Sequence, residues 1–229
     1  MTYQAIILLN KNTENASPSI LTDINDKPFL HYQLNFLSEN QFKKIVFVHS
    51  GNNNSVEQKF GKRFDFMELV YVEVPESMSQ MERIHTAFYH ITDLYAFVLN
   101  GSNFFRLNLS KADDFRRMRD SRILAIGKIL SGTEADKDIF ALDSRGQILH
   151  INGNITDEES AFFTDTWLIS KAFYTKNFSD KQGQLFNYIA DNHQQTPLFC
   201  MICRQYFIAL NKPEDIAKAQ HEFAENYFQ

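Results

Sequence analysis

Short apolar runs alternate with segments of helical period through the first part of the chain. Gln4 to Asn10 (QAIILLN) is apolar and ends in polar residues, the pattern of a buried parallel strand feeding a loop. That loop, NKNTENASPS, is rich in Asn and Ser and broken by Pro18. From Pro28 to Asn40, Leu30, Leu34 and Leu37 recur at helical spacing, with Pro28 placed to start the helix. Lys43 to Gly51 (KKIVFVHSG) reads as a second buried strand, SVEQKFGKRF as a short helix that Ser55 caps, and Met67 to Pro75 as a third strand. Ser79 to Ile91 places Ile84, Ala87, Phe88 and Ile91 on one helical face, and Leu94 to Gly101 (LYAFVLNG) is a fourth strand. Strands alternating with helices imply a parallel sheet covered on both faces. In such a sheet the ligand crevice lies at the carboxyl ends of the strands. Here those ends are Asn10-Lys11, His49-Ser50-Gly51, Pro75-Glu76 and Asn100-Gly101-Ser102.

The second half mixes its elements. KADDFRRMRD is helical; Arg122 to Leu130 and Asp138 to Ile151 read as sheet, the latter a hairpin around DSRG; FFTDTWLISKAFY continues in that style. GQLFNYIADNH is a helix, PLFCMICRQYFIAL holds one or two strands, and Lys212 to Phe228 forms a terminal helix. Pro213, Glu214 and Asp215 suit its first turn and the positive end of its dipole. No stretch rich in Pro, Gly or Ser divides the chain, so residues 1–229 are expected to form one α/β domain with a Rossmann-like, mixed but mostly parallel sheet.

Composition narrows the function classes. A net charge of −5 gives no electrostatic reason to expect nucleic acid as a partner. The densest basic segment, Lys111 to Arg122, also holds Asp113, Asp114 and Asp120 and reads as a solvated helix face. No run approaches the roughly 18 apolar residues of a membrane span, and the N-terminal apolar run lacks the flanks of a signal peptide, so a cytoplasmic location is expected. Cys200 and Cys203 are three apart in a β-prone run, which points them to opposite faces of a strand. A zinc site needs about two further ligands, and no second such pair supplies them.

Three stretches, taken in order, resemble one family. KPFLHYQLNFL, FVLNGSNFF and YFIALNKPEDIAKAQHEF are similar to landmarks of the sugar-1-phosphate nucleotidyltransferases of GT-A-like fold, most closely the short heptose- or mannose-1-phosphate guanylyltransferases. The resemblance runs from AIILL to PEDIAKAQHEF and implies fold and ancestry more directly than activity. In that family a glycine-rich loop with an Arg and a Lys closes on the nucleotide phosphates. The resemblance places Asn10, Lys11 and Thr13 at the glycine positions, Asn15 at the arginine and Ser17 at the lysine. A family turn that contacts the base falls on Ser79, Gln80, Met81 and Glu82. Of these, Gln80 retains an amide for a base edge, Glu82 is expected to repel phosphate, and the segment also reads simply as a capped helix start.

Two family aspartates bind magnesium, and the resemblance places Ser102 and Ala209 at their positions. Asp93, Asp113 and Asp215 fall elsewhere in the pattern. The sugar-contacting segments fall near Leu149 to Ile155 and Thr164 to Ser170, where Trp167 or Asp165 faces the sugar pocket; a lone strand Trp also suits the core. The expectation is therefore a catalytically degenerate relative, with Asn10, Lys11, Asn12, Gln80, Asn100 and Gly101 lining a nucleotide crevice and no bound metal or other cofactor. Its expected partners are a weakly held nucleotide or sugar phosphate and a second copy or an active paralogue, with neither nucleic acid nor membrane. The alternatives are an active transferase using Lys11, Asn12, Glu14, Ser102 and Asn103, or a GT-A glycosyltransferase. Phe104 and Phe105 at the crevice edge are expected to fill it.

Overall fold

The computed structural model describes residues 3–9, 19–50, 55–129, 138–152, 159–192 and 197–226. Strand β1 (Tyr3–Leu8) is followed by a small ribbon, β2 (Asp23–Ile24) with β3 (Lys27–Pro28), and by helix α1 (Phe29–Glu39). Pro28 is the N-cap of α1, where its fixed φ and missing N–H cost nothing. Next come β4 (Phe42–Ser50), α2 (Ser55–Phe60), β5 (Arg63–Phe64), β6 (Met67–Val74), α3 (Gln80–Phe88) and β7 (Tyr95–Asn100). The second half supplies β8 (Asn103–Phe105), α4 (Leu109–Met118), β9 (Ile123–Ile129), the hairpin β10 (Ile139–Leu142) and β11 (Ile148–Ile151), and the long β12 (Glu159–Ser170). Helices α5 (Lys171–Phe178) and α6 (Leu185–Asn192), strands β13 (Phe199–Cys203) and β14 (Phe207–Ala209), and α7 (Glu214–Asn226) complete it.

The expected alternation yields the expected sheet. β1 pairs in parallel with β4 on one side and β7 on the other, and β6 extends the parallel set beyond β4. Chain order therefore reverses at β1, which makes the β1–β7 junction the topological switch point. β12 runs antiparallel to β7 and to β9, and β13 joins β9 in parallel. The central strands are buried on both faces, and alternate side chains fall into two core layers. Ala5, Ile7, Phe47, Phe97 and Leu99 face α1, α4 and α7, while Ile6, Leu8, Val46, Ala96 and Val98 face α3, α5 and α6. Cys200 and Cys203 fall in opposite layers, both buried and both free thiols, as their strand spacing predicts. Burial pushes the Cys203 thiol up, so it behaves as a small apolar side chain.

Three expectations change. Strand character in FFTDTWLISKAFY stops at Ser170, whose side chain accepts from the Phe173 N–H and starts α5 instead. The Lys111 to Arg122 face is not wholly solvated, because Asp113 and Arg116 are buried. Asp113 bridges Arg116 and Arg117 at 2.7 Å each, and the Arg116 guanidinium lies 3.9 Å above the Tyr95 ring. A helix whose polar face meets a strand end can bury charge only when it is paired in this way. Finally, Phe104 and Phe105 do not face the strand-end crevice. They pack in the α1 and α7 layer, where the Phe104 ring meets Phe29, Phe36, Tyr206 and Phe223.

Candidate functional site

The sheet itself opens a cleft. On one edge of β12, Ala161 pairs with Phe140 of β10 and, farther along, Trp167 pairs with Val98 of β7. Phe162 still pairs with Ile139, and the Phe163 N–H donates to Asp138 O at 2.8 Å, so the unpaired stretch on that edge is Thr164 to Thr166. On the other edge the register with β9 slips, since consecutive residues Gly127 and Ile126 pair with Phe163 and Thr166. Thr164 and Asp165 are thus extra residues in a bulge, with Asp165 at φ 53°. This gap lies beside the carboxyl ends of β1 and β7, where the switch point predicts a ligand crevice.

A cleft of about 430 Å³ fills the gap. Leu8, Val98, Phe163, Trp167 and Phe186 form its apolar floor, with the Phe163 and Phe186 rings stacked at 5.3 Å. Ser79, Gln80 and Arg83 of the α3 entrance form one wall, and Gln184 and Asn187 of the α6 entrance adjoin it. Asn100, Asp138 and Asp165 complete the rim. Trp167 is both core and floor, which joins the two readings of a lone strand tryptophan.

Hydrogen bonds define what each wall can offer. Ser79 caps α3 and Glu82 closes a reciprocal capping box, with the Ser79 N–H donating to Glu82 at 2.8 Å. The Glu82 carboxyl is held below the usual carboxylate range by bonds from the Ser79 side chain and backbone. Glu82 does not line the cleft; its carboxylate accepts from the Ser79 N–H and from Gln182 instead. The amide of Met81 donates to Gly183 O at 3.1 Å and the Glu82 amide to Ser79 Oγ, so these helix-start donors are already used. Gln80 Oε1 accepts from the Leu185 N–H at 2.9 Å, which turns the amide nitrogen of Gln80 away from that contact. Arg83 Nε donates to Met78 O at 3.1 Å and holds the guanidinium against the wall.

Of the other sequence-predicted positions that the structure describes, Asn100 is on the rim, whereas Gly101, Ser102, Asn103 and Ala209 do not line the cleft. Gly101 is outside the cleft lining; its N–H donates to Leu8 O at 2.9 Å. Asn100 Oδ1 accepts from the Ser102 N–H at 3.0 Å in a local turn. Ser102 and Asn103 are buried. Strand β14 pairs with β8 so that Ala209 faces Asn103, and the Leu210 N–H donates to Ser102 O at 2.8 Å. The two positions that the resemblance aligns with metal-binding aspartates are therefore neighbours in space. Asn10, Lys11, Asn12, Asn15 and Ser17, with Thr13 and Glu14, lie outside the described residues.

The magnesium implied by the resemblance does not fit this donor set. A buried hydroxyl at Ser102 and a methyl at Ala209 stand where hard carboxylate oxygens are required. Among the described residues, no three His, Cys, Asp or Glu side chains gather closely enough to hold a metal ion. No helix among them is long and apolar enough to cross a membrane.

Known proteins share this fold. The chain is 24% identical over 233 residues to D-glycero-α-D-manno-heptose 1-phosphate guanylyltransferase of Aneurinibacillus thermoaerophilus, covering 96% of this chain and 97% of that protein. It is 21% identical to the enzyme of the same name from Campylobacter jejuni, covering 93% and 96%. No family model matches the chain. The crystal structure of HddC from Yersinia pseudotuberculosis complexed with GMP-PN superposes with a TM-score of 0.76 at 19% identity, covering 97% of this chain and 100% of that one. The crystal structure of UDP-glucose pyrophosphorylase complexed with UDP-glucose gives a TM-score of 0.77 at 12% identity, covering 98% of this chain and 99% of that one.

The chain has the sugar-1-phosphate nucleotidyltransferase fold. Within that nucleotidyltransferase fold, sequence reasoning located the strand ends and named Gln80, Asn100, Asp165 and Trp167. It missed Arg83, Asp138, Phe163, Gln184, Phe186 and Asn187. Arg83 was legible in principle, because it lies one turn from Ser79 at the crevice end of α3. The α6 residues reach the cleft only through tertiary packing, which no local pattern encodes.

Proposed function

We propose that this chain binds a nucleotide or sugar phosphate in the β12 cleft without catalysing the ordinary metal-dependent transfer. It serves nucleotide-sugar metabolism as a binding or regulatory partner. One observation carries the reading: the cleft at the switch point is open, while Ser102 and Ala209 adjoin each other beneath it without a carboxylate. Transfer of a nucleotidyl group depends on positioning and on neutralising charge that develops on the phosphates. Losing one oriented stabilising group typically costs about 3 kcal/mol, or roughly a hundredfold in rate. Two absent carboxylates act in the same direction, although such losses do not simply add.

The likeness to guanylyltransferases, one of them solved with GMP-PN, makes guanine nucleotides and hexose or heptose 1-phosphates the ligands to try. Arg83, on the wall, supplies the positive charge to meet a phosphate. Titration calorimetry with GMP, GTP and D-mannose 1-phosphate, with and without magnesium, tests binding, and a pyrophosphate-release assay tests turnover. The expected result is saturable binding that magnesium leaves unchanged, weakened by Arg83→Ala, with no pyrophosphate released. Turnover at ordinary enzyme rates, or absence of binding to all three ligands, overturns the proposal.

A further inference from the structure

The floor of the cleft lies on one face of the sheet, and some of its polar support comes from the other. Leu8, Val98, Phe163 and Trp167 belong to the core layer under α3, α5 and α6. Gln33, on α1, is only 4% exposed and lies in the opposite layer, among Phe36, Leu37, Phe97 and Leu99. Its Nε2 donates to Asn103 O and, at 3.3 Å, to Asn100 O, the two ends of the turn between β7 and β8. Asn103, also buried, extends the chain of contacts. Its Nδ2 donates to Thr164 O at 3.1 Å and lies 3.5 Å from Asp165 Oδ2. Thr164 belongs to the stretch of β12 that has no strand neighbour on this edge, so the Asn103 amide supplies a donor where the sheet has none. Asn100 and Asp165, at the two ends of these contacts, are both rim residues.

Packing alone does not account for a carboxamide at position 33. Gln33 Oε1 is buried and accepts no hydrogen bond from the described residues. The side chain also lines a void of about 20 Å³ whose other walls are mostly aromatic and aliphatic. A buried acceptor without a donor destabilises a fold, and an apolar side chain of equal length removes that penalty. What the carboxamide alone offers is its N–H group, and that group holds the turn leading to the cleft. We infer that Gln33 is a positioning residue for the cleft: through this turn and Asn103 it fixes the rim residues Asn100 and Asp165 from the far side of the sheet. This rests on the reading of the cleft as a nucleotide or sugar-phosphate site. A site holds its ligand only as closely as supporting hydrogen bonds hold the residues that line it. Without the Gln33 donor the turn and the bulge sample more positions, and ordering them again on binding lowers affinity.

The experiment measures melting temperature and, by calorimetry, affinity for GMP and for D-mannose 1-phosphate in wild type, Gln33→Met, Asn103→Ala and the double variant. Gln33→Met keeps the side-chain length and removes the unmet acceptor together with the donor, so it is expected to melt within about 4 °C of wild type. At least one ligand should nevertheless bind about two- to thirtyfold more weakly, the range for residues that act on a site through others. Asn103→Ala should weaken the same ligand, and the double variant should lose less than the product of the two single losses, because the two residues act in one chain. If wild type binds and Gln33→Met keeps both affinities within about twofold, this inference is wrong while the cleft reading stands. Losses that multiply in full overturn it as well, since Gln33 and Asn103 then act separately. A Gln33→Met variant that does not fold makes the residue a structural one and equally overturns it. If wild type binds neither ligand, the cleft reading and this inference fall together.

Discussion

Gly101 shows how one residue at the strand end serves the fold. A Cβ there would stand 3.0 Å from Leu9 Cδ2 and 3.2 Å from Leu8 O, so an alanine requires Leu9 and the β1 backbone to give by a few tenths of an ångström. Gly101→Ala is therefore expected to destabilise the protein by about 1–3 kcal/mol, as overpacked sites do, read as a lower midpoint in urea unfolding. A variant as stable as wild type would show that the junction yields easily. Glu82 makes a second prediction, with a definite sign. Its folded-state pKa is depressed by the Ser79 bonds, so its stabilisation is present above the ordinary glutamate value and is lost as pH falls through the lowered one. The gap in melting temperature between wild type and Glu82→Ala should be widest near neutral pH and shrink on acidification to about pH 3. A gap that stays constant over that range would remove the capping carboxylate from the account.

Helix α3 is where a local pattern and a tertiary lock meet. Its capping box was legible from Ser79 and Glu82 alone, because such a box needs only residues three apart. Its attachment to the α5–α6 connection was not legible, because it joins residues distant in sequence. Gln80 receives the Leu185 N–H, Met81 donates to Gly183, and buried Tyr174 donates to Met81 O at 2.6 Å. These bonds set the wall of the cleft. Ser79→Ala should cost about 1 kcal/mol by loss of the cap alone. Tyr174→Phe leaves the Met81 carbonyl without that donor and should cost about 1–2 kcal/mol, with hydrogen exchange rising at the Met81 and Leu185 amides. Unchanged exchange there would mean the wall does not depend on Tyr174. The same contrast applies to β12. Its strand character follows from composition, whereas its bulge depends on pairing with β9, β10 and β7, which periodicity does not report.

At the scale of the whole molecule, the doubly wound half was readable because β1, β4 and β7 each hold a continuous apolar run and β6 alternates apolar with polar residues. The second half was harder, since short elements such as β8 and β14 exist only through each other. That pairing also supplies the sharpest test of degeneracy. It sets positions 102 and 209 side by side, so Ser102→Asp and Ala209→Asp together would place two carboxylates at one point beneath the cleft. Close like charges repel and raise one another's pKa, so without metal the double variant should melt below wild type. A hard divalent cation relieves that repulsion and is held by one or two carboxylates with help from phosphate oxygens. Magnesium with GTP should therefore raise the melting temperature of the double variant by several degrees and that of wild type by no more than GTP alone, since about 1 kcal/mol of linked binding moves a chain of this size by about 2–4 °C. Each single variant should respond weakly, because one carboxylate lacks its neighbour. Pyrophosphate release should stay absent even in the double variant, since the resemblance places Asn15 and Ser17 where an active loop has its cations. A magnesium response in wild type equal to that of the double variant would mean that the native chain already holds a metal through other residues, and the degenerate reading would fail.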